Sequence, residues 1–279
     1  MLRSLVGSEM CIRDRCYSIV NEGKLDLLNN KEGFMETSDF YGTEKVSRIL
    51  LKIAPPVMLA QLIQALYNIV DSFFVGKYSE TGLTALSIIY PVQLLMIALG
   101  VGTGVGINTD MAYYLGIGKK KKAEEVAGTG TPLGLILWII FAAVCYVTLP
   151  AYAGMSTDSP EVIRDVVAYG RIVCLFSIGL FTEGIWSKIL QAEGDMRTPM
   201  IAQIAGAVVN IILDPLLIFG MLGMPEMGIS GAAVATVSGQ IVAALIVMKK
   251  AWYRSPRRSC YPGHIKRIYQ LGIPNIIMQ

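Results

Sequence analysis

Gln64-Ala65-Leu66-Tyr67-Asn68-Ile69-Val70-Asp71 lies within a stretch, Ile53 to Val75, that is otherwise almost wholly apolar. Gln61, Gln64, Asn68 and Asp71 recur at helical spacing, so a helix puts them on one face. That face ends in a carboxylate deep in a hydrophobic segment. A charge at the centre of a bilayer costs about 2.5–3.5 kcal/mol on insertion scales. Two readings follow. Asp71 either reaches water at the outer end of the helix, or it faces a protein interior as a site for a cation or a proton.

The composition agrees with a membrane setting. The chain has 279 residues, 53% hydrophobic and only 16% charged, where soluble domains are about a quarter charged. Apolar blocks predict six spans, at 49–75, 84–115, 124–149, 162–190, 199–221 and 229–250, and a seventh that starts near Ile268 and stops at Gln279. The expected fold is therefore an all-α membrane protein, a six-helix transmembrane bundle over 49–250 plus the start of a seventh helix over 268–279. Residues 35–48 read as a cytoplasmic N-terminal segment, and 251–267 as a cytoplasmic basic loop.

Residues 1–34 read differently. Residues 1–15 resemble a translated cloning scar and lack the apolar core of a signal peptide. The codons of residues 31–34 can spell a purine-rich ribosome-binding sequence just before Met35. The expectation is a non-native leader over 1–34 and a bacterial start at Met35.

Basic residues orient the bundle. Lys119, Lys120, Lys121 and Lys122 follow the second span, and Lys249, Lys250, Arg254, Arg257 and Arg258 follow the sixth. The loops after the first, third and fifth hold only Lys77. The positive-inside rule then puts the N-terminus in the cytoplasm of a multi-pass protein of the bacterial inner membrane. Arg48 to Pro55 is echoed in register by Arg267 to Pro274. An echo just after six spans suggests that a second six-helix repeat begins there.

Several chemistries are excluded. Gly100, Gly102, Gly104 and Gly106 lack the GxGxxG spacing and follow no strand, so they read as helix-packing positions. Lys119 to Lys122 lack the flanking residues of a phosphate-binding loop. Cys11, Cys16, Cys145, Cys174 and Cys260 form no CxxC pair, and His264 has no nearby metal partners. The chain shows neither HExxH nor a nucleophile–base set, so no enzyme is expected.

Asn210-Ile211-Ile212-Leu213-Asp214-Pro215 supplies a second polar pair. Asn210 and Asp214 are one helical turn apart on one face. Pro215 cannot donate to the carbonyl of Ile211, which frees an oxygen on that turn. Thr236 adds a hydroxyl among small residues. Asp71, Asn210, Asp214 and Thr236 are all hard oxygen donors, suited to Na⁺ or a proton and not to a soft metal. Alternatively, Asn210 and Asp214 only satisfy each other or cap the turn that Pro215 breaks. Glu183 is a further intramembrane acid, expected to partner Lys188.

The first-span pattern Pro55-Pro56 with Gln64-x-x-Tyr67-Asn68-x-x-Asp71-Ser72-x-Phe74-Val75-Gly76 resembles the multidrug and toxic compound extrusion (MATE) family. So do Gln191-Ala-Glu-Gly-Asp-Met-Arg-Thr-Pro199, Asn210-x-x-x-Asp214-Pro215 and Gly231-Ala-Ala-Val-Ala-Thr236. The motifs fall in family order over residues 45–279. The resemblance implies the N-lobe of a twelve-helix antiporter that exports cationic or amphipathic drugs and toxins in exchange for Na⁺ or H⁺. It implies a cation site at Asp71, Asn210, Asp214 and Thr236, a cavity lining at Gln64, Tyr67 and Asn68, and a hinge at Pro55 and Pro56. Expected partners are a small-molecule substrate, membrane lipid and the missing C-lobe. Neither a nucleic acid, a cofactor, nor a metal other than Na⁺ is expected. The alternatives are a lipid-linked oligosaccharide flippase of the same superfamily and an inactive truncated fragment. A flippase should line its cavity with basic residues for a pyrophosphate, whereas the midspan residues here read as acidic and amidic.

Overall fold

The computed structural model describes residues 46–253 and 261–278. The leader at 1–34, the segment at 35–45 and the stretch 254–260 lie outside the described residues. Eight α-helices follow in order: α1 Val46–Tyr78, α2 Glu80–Gly116, α3 Lys120–Ser156, α4 Pro160–Leu175, α5 Ile178–Ala192, α6 Arg197–Ile218, α7 Ile229–Ala251 and α8 Tyr261–Met278. Five of these are long and apolar enough to cross a membrane, and α4 with α5 makes a sixth crossing bent by 46°. The chain is a multi-pass membrane protein.

The fourth expected span is thus two helices. Its break at Phe176 and Ser177 contains neither proline nor glycine. The freed carbonyls have side-chain donors instead. Trp138 Nε1 donates to the carbonyl of Leu175 at 3.0 Å, and the Ser177 hydroxyl donates to that of Cys174 at 2.8 Å. α8 begins at Tyr261, earlier than the apolar run suggested, with Pro262 in its first turn, where a missing N–H costs nothing. Part of the expected 251–267 loop is therefore helix. α1 runs through Pro55 and Pro56 without ending.

The helices pack both between neighbours in the chain and across it: α1 on α6, α6 on α7, α7 on α4 and α5, and α2 on α3, α4, α5 and α8. Glycines set the closest of these approaches. A Cβ on Gly206 would lie 2.7 Å from the carbonyl oxygen of Gly239, and one on Gly239 would lie 2.6 Å from that of Gly206. No side chain fits, so α6 and α7 touch backbone to backbone. The α2–α8 contact is similar, with Gly272 against the Gly102 carbonyl and Gly106 against that of Ile268.

Two apolar cores divide the bundle. One surrounds Ile89, Leu149, Tyr169, Phe181 and Ile218, and the other Ile107, Met111, Ile185, Ile189 and Ile268. The second core lies toward the end that carries residues 119–122, Lys249 and Lys250, called here the basic end. Asp195 organises that end. It accepts from the backbone N–H groups of Arg197 and Thr198, from the Thr198 hydroxyl, and from Lys250 Nζ at 3.1 Å. Burial pushes the Asp195 carboxyl up, but the Thr198 and Lys250 contacts outweigh it and hold it below the usual range. Among the described residues the one donor to its neighbour Glu193 is the Tyr253 hydroxyl, and burial raises Glu193 to about 7.

Candidate functional site

α1, α6 and α7 bring Asp71, Asn210, Asp214 and Thr236 into the interior of the bundle. Asp71 is 7% exposed, Asn210 2%, Asp214 0% and Thr236 9%. The α6–α7 backbone contact at Gly206 and Gly239 lies one turn from Asn210, which is why the amide reaches both helices. Its nitrogen lies 3.4 Å from Asp214 Oδ1 and 3.4 Å from the Thr236 hydroxyl. With the amide turned over, the nitrogen donates to Asp214 Oδ2 at 3.3 Å and the oxygen accepts from the Thr236 N–H at 3.2 Å. In either orientation Asn210 bridges the α6 carboxylate and α7.

The two carboxylates feel each other's charge. Among the described residues no lysine or arginine forms an ion pair with either, and Asp71 Oδ1 is buried without a hydrogen-bond partner. Two acids in a low dielectric with long, few donors favour anything positive placed between them. A bare proton or a hard cation fits that oxygen set, and a soft metal does not.

The expected lining divides. Gln64 and Tyr67 are half-buried beside the site, and Tyr67 lies within electrostatic reach of Asp71, Glu183 and Asp214. Asn68 is exposed, as is Gln61, on the rim of the α1 face. Pro55 is exposed and Pro56 half-buried, well before Asp71 along α1.

Sequence reasoning missed Tyr169 and Gln93. Tyr169 on α4 is buried, accepts from Gln93 Nε2 at 3.1 Å, and lies within hydrogen-bonding reach of Thr236. A buried phenol needs a partner, and a lone tyrosine in a helical apolar run was the available signal. The reading of the midspan as acidic and amidic is also incomplete. Arg171 on α4 stacks over the Tyr146 ring of α3, 5.0 Å from its centroid. Glu183 and Lys188 do not form the expected close pair. Ser187 Oγ donates to Glu183 Oε1 at 2.7 Å, while Lys188 Nζ donates to Gln191 Oε1 at 3.1 Å.

A bundle of up to six spans that encloses uncompensated oxygen ligands has the build of a polytopic membrane transporter. The chain belongs to the MatE family, whose model matches residues 56–216. It is 28% identical over 243 residues to the Probable multidrug resistance protein NorM of Thermotoga maritima, covering 84% of this chain and 52% of that protein. Its fold matches an outward-facing multidrug resistance MATE family transporter of the MOP superfamily, with TM-score 0.74 and 26% identity over 82% of this chain and 52% of the other. It also matches a MATE protein crystallised in a bent conformation, with TM-score 0.75 and 26% identity over 88% and 55%. The chain spans about half the length of the relatives it matches. The family is one of transporters, multidrug resistance proteins of the NorM type among them, and not of enzymes.

Proposed function

We propose that this chain is the N-terminal lobe of a twelve-helix antiporter that exports cationic or amphipathic drugs and toxins in exchange for Na⁺ or H⁺. The observation that carries the reading is the pair of buried carboxylates, Asp71 and Asp214, which no basic side chain among the described residues neutralises. Asp71, Asn210, Asp214 and Thr236 hold the coupling cation. Gln64, Tyr67 and Asn68 line the cavity that closes against a second lobe. The basic end faces the cytoplasm of a bacterial inner membrane, as the positive-inside rule requires.

Taking up a cation removes the repulsion between Asp71 and Asp214 and draws α1 toward α6. Pro55 and Pro56 each lack the N–H that would tie α1 to its preceding turn, so α1 yields there. The shift changes the lining at Gln64, Tyr67 and Asn68 and favours release of the drug. The cation then leaves toward the basic end as the lobes rock. Similar solved MATE structures are described as being in the bent and in the straight conformation, which supports a lobe with two states.

The test is dye efflux from vesicles that contain the full-length protein, driven by an imposed Na⁺ or proton gradient. Asp71→Asn is expected to abolish gradient-dependent efflux. If that variant pumps as the wild type does, the cation site is misplaced.

A further inference from the structure

The coupling cation needs a route from a sealed site to the basic end. Asp214 and Asp71 are 0% and 7% exposed and lie toward the other end of the bundle. Asp71 is seven residues from the end of α1, about 10 Å along the axis. Glu183 is nine residues from the basic end of α5, about 14 Å, which puts it near mid-depth. Tyr67 is close enough to both aspartates and to Glu183 to feel all three charges. α1 rests on α6 whereas α5 rests on α2 and α7. Tyr67 on α1 and Glu183 on α5 are both half-buried.

Asp110 and Glu183 are acids inside the spans on the basic side of the aspartate pair. Asp110 is already paired with Arg267 at 2.5 Å. Glu183 is not paired. Its single donor is the neutral Ser187 hydroxyl. Lys188, five residues further along α5, feels Glu183 but spends its hydrogen bond on Gln191, and its carbonyl accepts from Asn108 of α2 at 2.8 Å. An acid left unpaired within a membrane is costly. A positive charge close by, but not in contact, leaves such an acid able to hold a cation while weakening its grip.

We propose that Glu183 is a second station for the coupling cation, between the Asp71–Asp214 site and the basic end, and that Lys188 sets how readily the cation leaves it. The proposal rests on the antiporter reading and adds an exit path to it. Tyr67, within electrostatic reach of both stations, offers the cation a neutral oxygen on the way. Lys188 then acts as a release device: its charge opposes long occupancy of Glu183, which suits a site that must empty on every cycle.

The experiment uses full-length protein in vesicles, with tracer Na⁺ and an internal pH dye read in parallel so that the two coupling ions are told apart. Asp71→Asn is the control for the antiporter reading, because gradient-driven efflux that survives it overturns that reading whatever Glu183 does. Given a dead Asp71→Asn, Glu183→Gln is expected to keep equilibrium ion binding but to slow ion-coupled turnover about tenfold. Glu183→Asp, which retains the carboxylate, is expected to recover most of that loss. Lys188→Met is expected to raise apparent ion affinity while lowering turnover, a split that loss of packing does not produce. Wild-type turnover in Glu183→Gln, or unchanged ion affinity in Lys188→Met, overturns the inference.

Discussion

Asp110 and Asp214 are both fully buried in the bundle, yet their surroundings differ completely. Asp110 on α2 meets the Arg267 guanidinium at 2.5 Å, and that guanidinium also stacks on Tyr113 and Tyr114, 4.6 and 5.0 Å from their ring centroids. His264 of the same helix lies 3.7 Å from Glu125 of α3. Asp214 has an amide at 3.4 Å and a second carboxylate for company. The first acid is spent on fastening α8 to α2. The second is left with unmet charge. A compensated acid in a membrane bundle is part of its architecture; an uncompensated one marks a place that something else must visit.

The contrast is sharpest in stability. Arg267→Met strands the Asp110 carboxylate in the interior and is expected to destabilise the protein by about 3–5 kcal/mol, read as a lower thermal midpoint in detergent. Adding Asp110→Asn to that variant is expected to restore most of the loss. If the double variant is no more stable than the single one, the pair is not what fastens α8.

The backbone contacts come next. Gly206→Ala forces a methyl against the Gly239 carbonyl and is expected to cost about 1–3 kcal/mol. It also parts Asn210 from Thr236, so apparent ion affinity should fall together with stability. An unchanged affinity would detach the glycine contact from the site.

Asp214→Asn should behave oppositely to a change at Arg267. It removes an unpaired buried charge and is expected to raise the thermal midpoint, by roughly 1 kcal/mol in stability, while abolishing ion-coupled transport. A clear loss of stability would give Asp214 a structural partner and erase the comparison.

Glu193, outside the spans, is the intermediate case, with a neutral donor in Tyr253 and a carboxyl raised by burial to about 7. The folded protein then holds a proton that the unfolded chain, near its ordinary value of 4.5, releases. That contribution to stability is complete below about 4.5 and is lost as pH rises through about 7. Glu193→Gln is expected to flatten this part of the pH profile, a small shift measured as thermal midpoint against pH.

Much of this was legible in the sequence because lipid permits so few polar residues. Asp71, Asn210 and Asp214 stood out against apolar neighbours at helical spacing, and the structure brings them together with Thr236. Tyr169 did not stand out, because a tyrosine is ordinary in an apolar helix until its hydroxyl finds Gln93 and Thr236 from other elements. Asn68 shares the helical phase of Asp71, but phase alone does not say which edge of a face a neighbour covers. The Pro262-Gly263 pair read as loop, although proline is at home in a first turn. The break at Phe176 contains neither proline nor glycine, and the indole that covers one of its freed carbonyls comes from another helix.

That break also bears on how the protein is made. α4 has 16 residues and α5 has 15, about 24 and 22 Å long, whereas the hydrocarbon layer is about 30 Å thick. Neither piece spans alone, so the insertion machinery must release them into lipid as one unit with peptide groups bare at the joint. The indole that covers one of those groups belongs to α3, which leaves the ribosome first. Trp138 is thus already made when the joint that it covers appears, and Trp138→Phe is expected to show as misinserted protein during synthesis.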